Sequence, residues 1–230
     1  DKRNDEIFSA FIQDKIGLVA DKLYLTIGSK FLTNDYTGFE YQPNARLTYY
    51  PSRNQTLWAA VSRAVRTPTR GEISFDIREE VYGTTTSKGT PQAESEDVIS
   101  YEAGYRIKPT SKTLLDITTF YNDYSKLRTY EDVSGVPTVG NLGKGFSYGG
   151  EISGKWQVTS DLRLEASYDY LETKLHISDN STDDSSALAP YDSLKLSEGR
   201  SPKNQFRLRS YYNITPKIEF DNMLYYVDSL

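Results

Sequence analysis

The stretch SRAVRTPTR at 62–70 sets Arg63, Arg66 and Arg70 three and four residues apart. A guanidinium keeps its charge at any physiological pH and offers forked donors that match paired oxygens on an anion. Three of them close together raise a local positive potential that attracts anionic ligands. The same arginines would also suit acidic lipid headgroups, or pairing with REE at 78–80.

Other stretches offer less. His176, in ETKLHISDN, is the only histidine, so no catalytic dyad or multi-histidine metal site can be assembled from the chain. It reads as a solvated loop residue. SDNSTDDSS at 178–186 packs oxygen ligands closely enough for calcium, but it lacks the glycine and distal glutamate of an EF-hand loop. It reads as an acidic loop. GNLGKGFSYGG at 140–150 superficially resembles a phosphate cradle, yet a strand pattern follows it where a P-loop requires a helix. No catalytic set, resident metal or cofactor is therefore expected. Arg63, Arg66 and Arg70 are the candidate ligand-binding residues.

Composition bounds the setting. The chain has 230 residues, no cysteine and a net charge of −5, with no basic stripe of interleaved aromatics for nucleic acid. Mean hydropathy is −0.62, and no apolar run approaches the ~20 residues of a membrane-spanning helix. A β-barrel escapes that criterion, because each of its strands alternates apolar with polar residues. Nineteen tyrosines against nine phenylalanines suit surfaces that are apolar at one end and wet at the other. The first residues, DKRNDEIFSAF, hold no apolar signal region, and read as a mature end or an internal cut.

The elements that must carry these residues are strands. DLRLEASYDY at 161–170 puts leucine, alanine and tyrosine on one parity, and arginine, glutamate, serine and aspartate on the other. Similar alternation predicts ten strands near 7–19, 22–33, 44–50, 56–65, 99–108, 113–124, 148–158, 162–173, 204–214 and 218–227. Their connections alternate in length. Short ones at 20–22, 51–55, 109–112, 159–161 and 215–217 are interleaved with long ones at 34–43, 66–98, 125–147 and 174–203. In an up-and-down meander every other connection lies at the same end, so the short turns collect at one end and the long loops at the other. That asymmetry predicts an all-β, antiparallel up-and-down transmembrane β-barrel, its apolar parity in lipid and its charged parity in a lumen. Glu102, Arg106, Lys155, Arg163, Glu165, Asp169, Arg207 and Arg209 would then line the lumen.

Specific stretches also resemble a family. FIQDKIGL (11–18), LYLTIGSKFLTNDYTGFEYQPNARLTYYP (23–51) and TLWAAVSRAVRTPTR (56–70) are similar to the barrel of TonB-dependent outer-membrane receptors. SYEAGYR (100–106), FYNDY (120–124), YGGEISGKWQVTSDLRLEASYDYLET (148–173) and PKNQFRLRSYYNITPKIEFDNMLYYVDSL (202–230) continue the resemblance in order. It implies a barrel of about 22 strands, of which about ten are present, in the outer membrane of a Gram-negative bacterium. Residues 1–230 would be an internal part of that barrel domain, without the plug domain or the last strands. The resemblance further implies uptake of a scarce large nutrient such as a ferric siderophore. The partners would be a nutrient ligand at the extracellular loops, the plug domain, the TonB complex, and outer-membrane lipid with lipopolysaccharide. Two other readings stay open: a complete small barrel of about ten strands, of the omptin protease sort, and a soluble β-sheet binding module.

Overall fold

The computed structural model describes residues 4–78, 85–183 and 194–229. Its strands are β1 (Ile7–Val19), β2 (Leu23–Asn34), β3 (Gly38–Ser52), β4 (Gln55–Arg66), β5 (Asp76–Arg78), β6 (Thr85–Lys88), β7 (Glu96–Thr110), β8 (Thr113–Val133), β9 (Val136–Gln157), β10 (Leu162–Ile177), β11 (Asn204–Thr215) and β12 (Ile218–Val227). Apart from β5 and β6, each strand pairs antiparallel with the next, in the order β1-β2-β3-β4-β7-β8-β9-β10-β11-β12. The ten strands predicted from alternation are these ten. β5 and β6 form a small hairpin within the β4–β7 connection, tied to β9 by a parallel bridge from Lys88 to Thr138.

Pairing in register keeps each parity on one face across the sheet. Ala166 lies between Gly154 and Leu208, whereas Ser167 lies between Ser153 and Arg207. The apolar face is open. Ile27, Leu47, Val61, Ile117, Ile152 and Leu208 are all exposed, in a chain whose described buried hydrophobic residues are only Ile73, Ala93, Val139 and Leu175. A water-soluble sheet does not leave one entire face apolar and uncovered.

Aromatic side chains border this face at both ends. Tyr101, Tyr121 and Tyr148 sit opposite one another on β7, β8 and β9, and Tyr170 joins them with its ring 6.3 Å from that of Tyr148. Tyr49, Trp156 and Tyr212 lie at the other end, beside the short turns. On β9 the eight steps from Tyr148 to Trp156 span about 27 Å at ~3.4 Å each, close to the ~25 Å apolar band between aromatic girdles of outer-membrane barrels.

Two of the four expected long connections are tight turns. Between β2 and β3 only residues 35–37 intervene, because Asn34 Oδ1 accepts hydrogen bonds from the backbone N–H groups of Tyr36 (2.8 Å) and Thr37 (2.9 Å), and Gly38 takes φ +73°. Between β8 and β9 only Ser134 and Gly135 intervene, both with positive φ, as a two-residue hairpin of that hand requires. The length expected in a 125–147 loop is instead strand. β8 and β9 run for 21 and 22 residues, about twice what crosses a bilayer, and project beyond the aromatic row as a ribbon.

Candidate functional site

At the long-loop end, β4 leaves the sheet at Arg66, which pairs in register with Glu96 and lies on the polar face. The chain then turns into α1 (Arg70–Ser74), whose start is fixed by reciprocal bonds. Thr69 Oγ1 accepts from the Glu72 backbone N–H at 3.3 Å, and a Glu72 carboxylate oxygen accepts from the Thr69 N–H at 2.7 Å. This capping box aims Glu72 back at β4. There Arg66 Nη1 and Nη2 donate to its two oxygens at 3.1 and 3.0 Å, while Arg66 Nε donates to Glu96 at 2.6 Å. Arg128 of β8 adds a third donor, its Nη1 lying 3.3 Å from Glu72 Oε1.

Glu72 is only 7% exposed. Burial pushes its carboxyl up, but the hydrogen bonds from Arg66 and Thr69 outweigh burial and hold the pKa at about 2. Beneath this cluster opens a cavity of about 370 Å³ lined by Arg66, Arg128, Glu96, Tyr124, Leu127 and Leu175. Its arginines carry the donors that an oxyanion needs, and its leucines and tyrosine suit an apolar or aromatic body.

The three candidate arginines do not converge. Arg63 has the parity opposite to Arg66. Its guanidinium pairs with Asp97, approaches Glu40 at 4.0 Å, lies over the Tyr41 ring and donates to the Tyr41 carbonyl. It therefore fills the gap where β3 and β4 stop pairing, beyond Asn44 and Ser62. Arg70 opens α1 and is exposed. The suggested pairing with REE involves Glu79 and Glu80, outside the described residues. Glu72, Glu96 and Arg128 complete the cluster. Their only sequence signal is the Thr-x-x-Glu spacing at 69–72.

A second carboxylate ties down the next connection. Glu131, on the projecting ribbon, accepts from Thr129 Oγ1 (2.6 Å), Ser181 Oγ (2.7 Å) and the Thr182 N–H (2.6 Å). Burial raises its carboxyl, and these donors outweigh it and hold the group below the ordinary range. Residues 184–186 of the acidic stretch lie outside the described residues, and among the described residues no acidic or histidine cluster could hold a metal. His176 is in β10, not in a loop. It stands opposite Lys144, with its ring 6.1 Å from that of Phe146. The glycine-rich 140–150 stretch lies wholly within β9.

The model of the family "TonB dependent receptor-like, beta-barrel" matches residues 1–229. The chain belongs to the TonB-dependent receptor family. Solved structures agree on the fold. A variant of the ferric enterobactin receptor PfeA from Pseudomonas aeruginosa is 18% identical, with a TM-score of 0.74 over 97% of this chain and 32% of that one. The siderophore receptor PirA from Pseudomonas aeruginosa is 17% identical, with a TM-score of 0.69 over 96% and 40%. The alcaligin outer-membrane receptor FauA from Bordetella pertussis is 16% identical, with a TM-score of 0.63 over 97% and 37%.

The chain thus spans between about a third and two fifths of the length of these receptors. TonB-dependent receptors are outer-membrane transport proteins of Gram-negative bacteria, not enzymes, and the protease and soluble-module readings fall away. In such a receptor the apolar face meets lipid and the polar face the lumen. The lumenal charges are partly paired in place, Lys155 and Arg163 with Glu165 at 3.5 and 3.4 Å, and Arg106 with Asp116. Higher on that face Trp58 lies over Gly104, where a Cβ would collide with the indole, and the Arg46 guanidinium sits 3.9 Å from the same ring.

Proposed function

We propose that this chain is the wall and loop-end rim of a receptor importing a ferric siderophore or similar anionic metal chelate, energised through TonB. Residues 1–230 would supply part of a barrel of about 22 strands, with the plug domain and the remaining strands contributed by the rest of the protein. The observation that carries the reading is the cavity at the loop end of the polar face, where arginines meet a partly apolar lining. Arg66 is the member of the original triplet that faces it. Arg70 lies one turn away on α1, at the approach from outside, and Arg63 holds the rim together by pairing with Asp97. That several solved relatives are receptors for ferric enterobactin, alcaligin or another siderophore supports the ligand class. On the outer surface, lipid and lipopolysaccharide would meet the apolar band and its aromatic rows.

The test is uptake. The full-length protein, expressed in a Gram-negative strain stripped of its own siderophore receptors, should restore growth on at least one anionic ferric chelate under iron limitation. Accumulation of labelled iron should cease when TonB is deleted. Uptake of an uncharged nutrient, with none of any ferric chelate, would overturn the reading.

A further inference from the structure

The cluster at the rim contains its own anion. Arg66 presents both Nη atoms to Glu72, Arg128 presents a third donor, and Glu72 is almost wholly buried among them. Two oxygens of one carboxylate thus occupy the forked donors that an incoming oxyanion would need. Glu72 is not part of the wall. It belongs to the single helical turn α1, held, apart from that carboxylate, by the Thr90 N–H donating to the Glu72 carbonyl at 2.9 Å, the Gly89 N–H donating to the Phe75 carbonyl at 2.9 Å, and Ile73, which packs with Ala93 and Val139.

We infer that Arg66 and Arg128 form a binding site for a bidentate oxyanion, now filled by the Glu72 carboxylate, and that a carboxylate or catecholate group of the ligand binds by displacing Glu72 and freeing α1. Displacement exchanges one oxyanion for another on the same donors, so each guanidinium keeps an anionic partner. The departing Glu72 moves with α1 toward water. Glu96 remains on Arg66 Nε throughout, keeping the guanidinium in place while its Nη atoms change partner. The internal carboxylate excludes ligands with no anionic group able to compete, and binding is signalled outward as release of α1. This inference rests on the transport reading for the identity of the ligand.

The experiment uses the full-length receptor in bilayers, with a nitroxide at Ser74→Cys on α1 and a control nitroxide at Asn54→Cys in a short turn. Ferric citrate supplies carboxylate oxygens and ferric tris-catecholate supplies catecholate oxygens. Either chelate should mobilise the Ser74 label while leaving the Asn54 label unchanged, and whichever acts identifies the oxygen source. Glu72→Gln should free α1 without any chelate and tighten chelate binding about tenfold, as expected if the uncovered site is populated about one-tenth of the time. Arg128→Gln should abolish the chelate response at Ser74. Binding that leaves the Ser74 label unmoved, binding to Glu72→Gln no tighter than to the parent, or no binding of either chelate to both proteins would each overturn the inference. Cells that still import iron under any of these results would leave the transport reading intact. Release of α1 without uptake of any chelate would instead break the transport reading and spare the displacement.

Discussion

Ala166 in the apolar band and Glu72 at the rim are held in opposite ways. Ala166 lies on the apolar face because its strand alternates and pairs in register, with Gly154 on one side and Leu208 on the other. Any small apolar residue would serve there. Glu72 is held by individual donors, one six residues away and another fifty-six, and no other side chain would reach both arginines with two acceptors. The band is specified by a repeated property, the rim by particular pairs. The band should therefore tolerate exchange within a class and punish a change of class, whereas the rim should punish even a conservative exchange, but locally.

The largest expected effect follows from a change of class in the band. Ala166→Arg puts a guanidinium in hydrocarbon and should cost roughly 2–4 kcal/mol near the midplane. Ser167→Arg, one residue on, puts the same group beside Arg207 in the lumen and should cost far less. Reversible unfolding of the full-length receptor from bilayers measures both. An arginine scan over Leu162, Leu164, Ala166, Tyr168 and Tyr170 should give penalties that peak mid-strand and decline toward both aromatic rows. A flat profile would break the assignment of this face to lipid.

A mid-sized effect is expected where the wall behaves like the rim. Trp58 needs the absence of a side chain at Gly104, which is directly opposite in register. Gly104→Val should displace the indole from between Arg46 and β7 and cost about 1–3 kcal/mol, the usual range for overpacking. In a Trp58→Ala background the same substitution should cost much less, because the pair is coupled through this one contact.

This division explains what could be read from the sequence. Strands such as Leu23–Asn34 and Asn204–Thr215 match the predicted ranges to within a residue because alternation between two environments persists over most of their length. Past the aromatic row both faces meet water or protein, so alternation ceases to mark a strand. Residues 125–147 consequently read as a loop although they are a hairpin. The hairpin's signal was local: Ser134–Gly135 between valines, as Asn34–Asp35 and Gly38 were for the β2–β3 turn. The arginine site was half legible. Arg66 stands out for its charge, but which face it takes depends on register, and Arg128 comes near it only through the β4–β7–β8 pairing. Arg63 looked equivalent and is on the other face.

Smaller again is the expected effect at Glu131, which secures 181–182 to the ribbon. Glu131→Gln keeps the shape, removes the charge and leaves one carbonyl oxygen for four donors, the Thr182 hydroxyl being the fourth. Losing charge-assisted bonds of this kind at a loop should cost on the order of 1 kcal/mol, confined to that connection. Hydrogen exchange at Ser181–Asp183 should quicken severalfold while amides of the apolar band stay unchanged. Global destabilisation of the barrel would show that rim and band are not separable.

The smallest effect is a change of pH that moves one helical turn and nothing else. The Glu72 carboxyl titrates near 2 in the folded rim, against about 4.3 for a free glutamate. Because the folded value is the lower, the clamp's contribution is complete above the free value and is lost as pH falls through the folded one. Glu96, which accepts from Arg66 Nε and from the Arg128 backbone N–H, is the other carboxylate facing the clamp. A nitroxide at Ser74→Cys should thus hold constant mobility from pH 8 to about 5 and loosen progressively between about 4.3 and 2. In Glu72→Gln the label should be mobile at every pH, with no transition to observe. Tyr101, Tyr121 and Tyr148 border a band without Glu72's kind of dependence on one carboxylate, so their fluorescence should remain constant over the range in which α1 comes free. Mobility at Ser74 rising already between pH 7 and 5 would mean that the arginine pair does not hold Glu72 as drawn, and the contrast between rim and band would have to be redrawn around another contact.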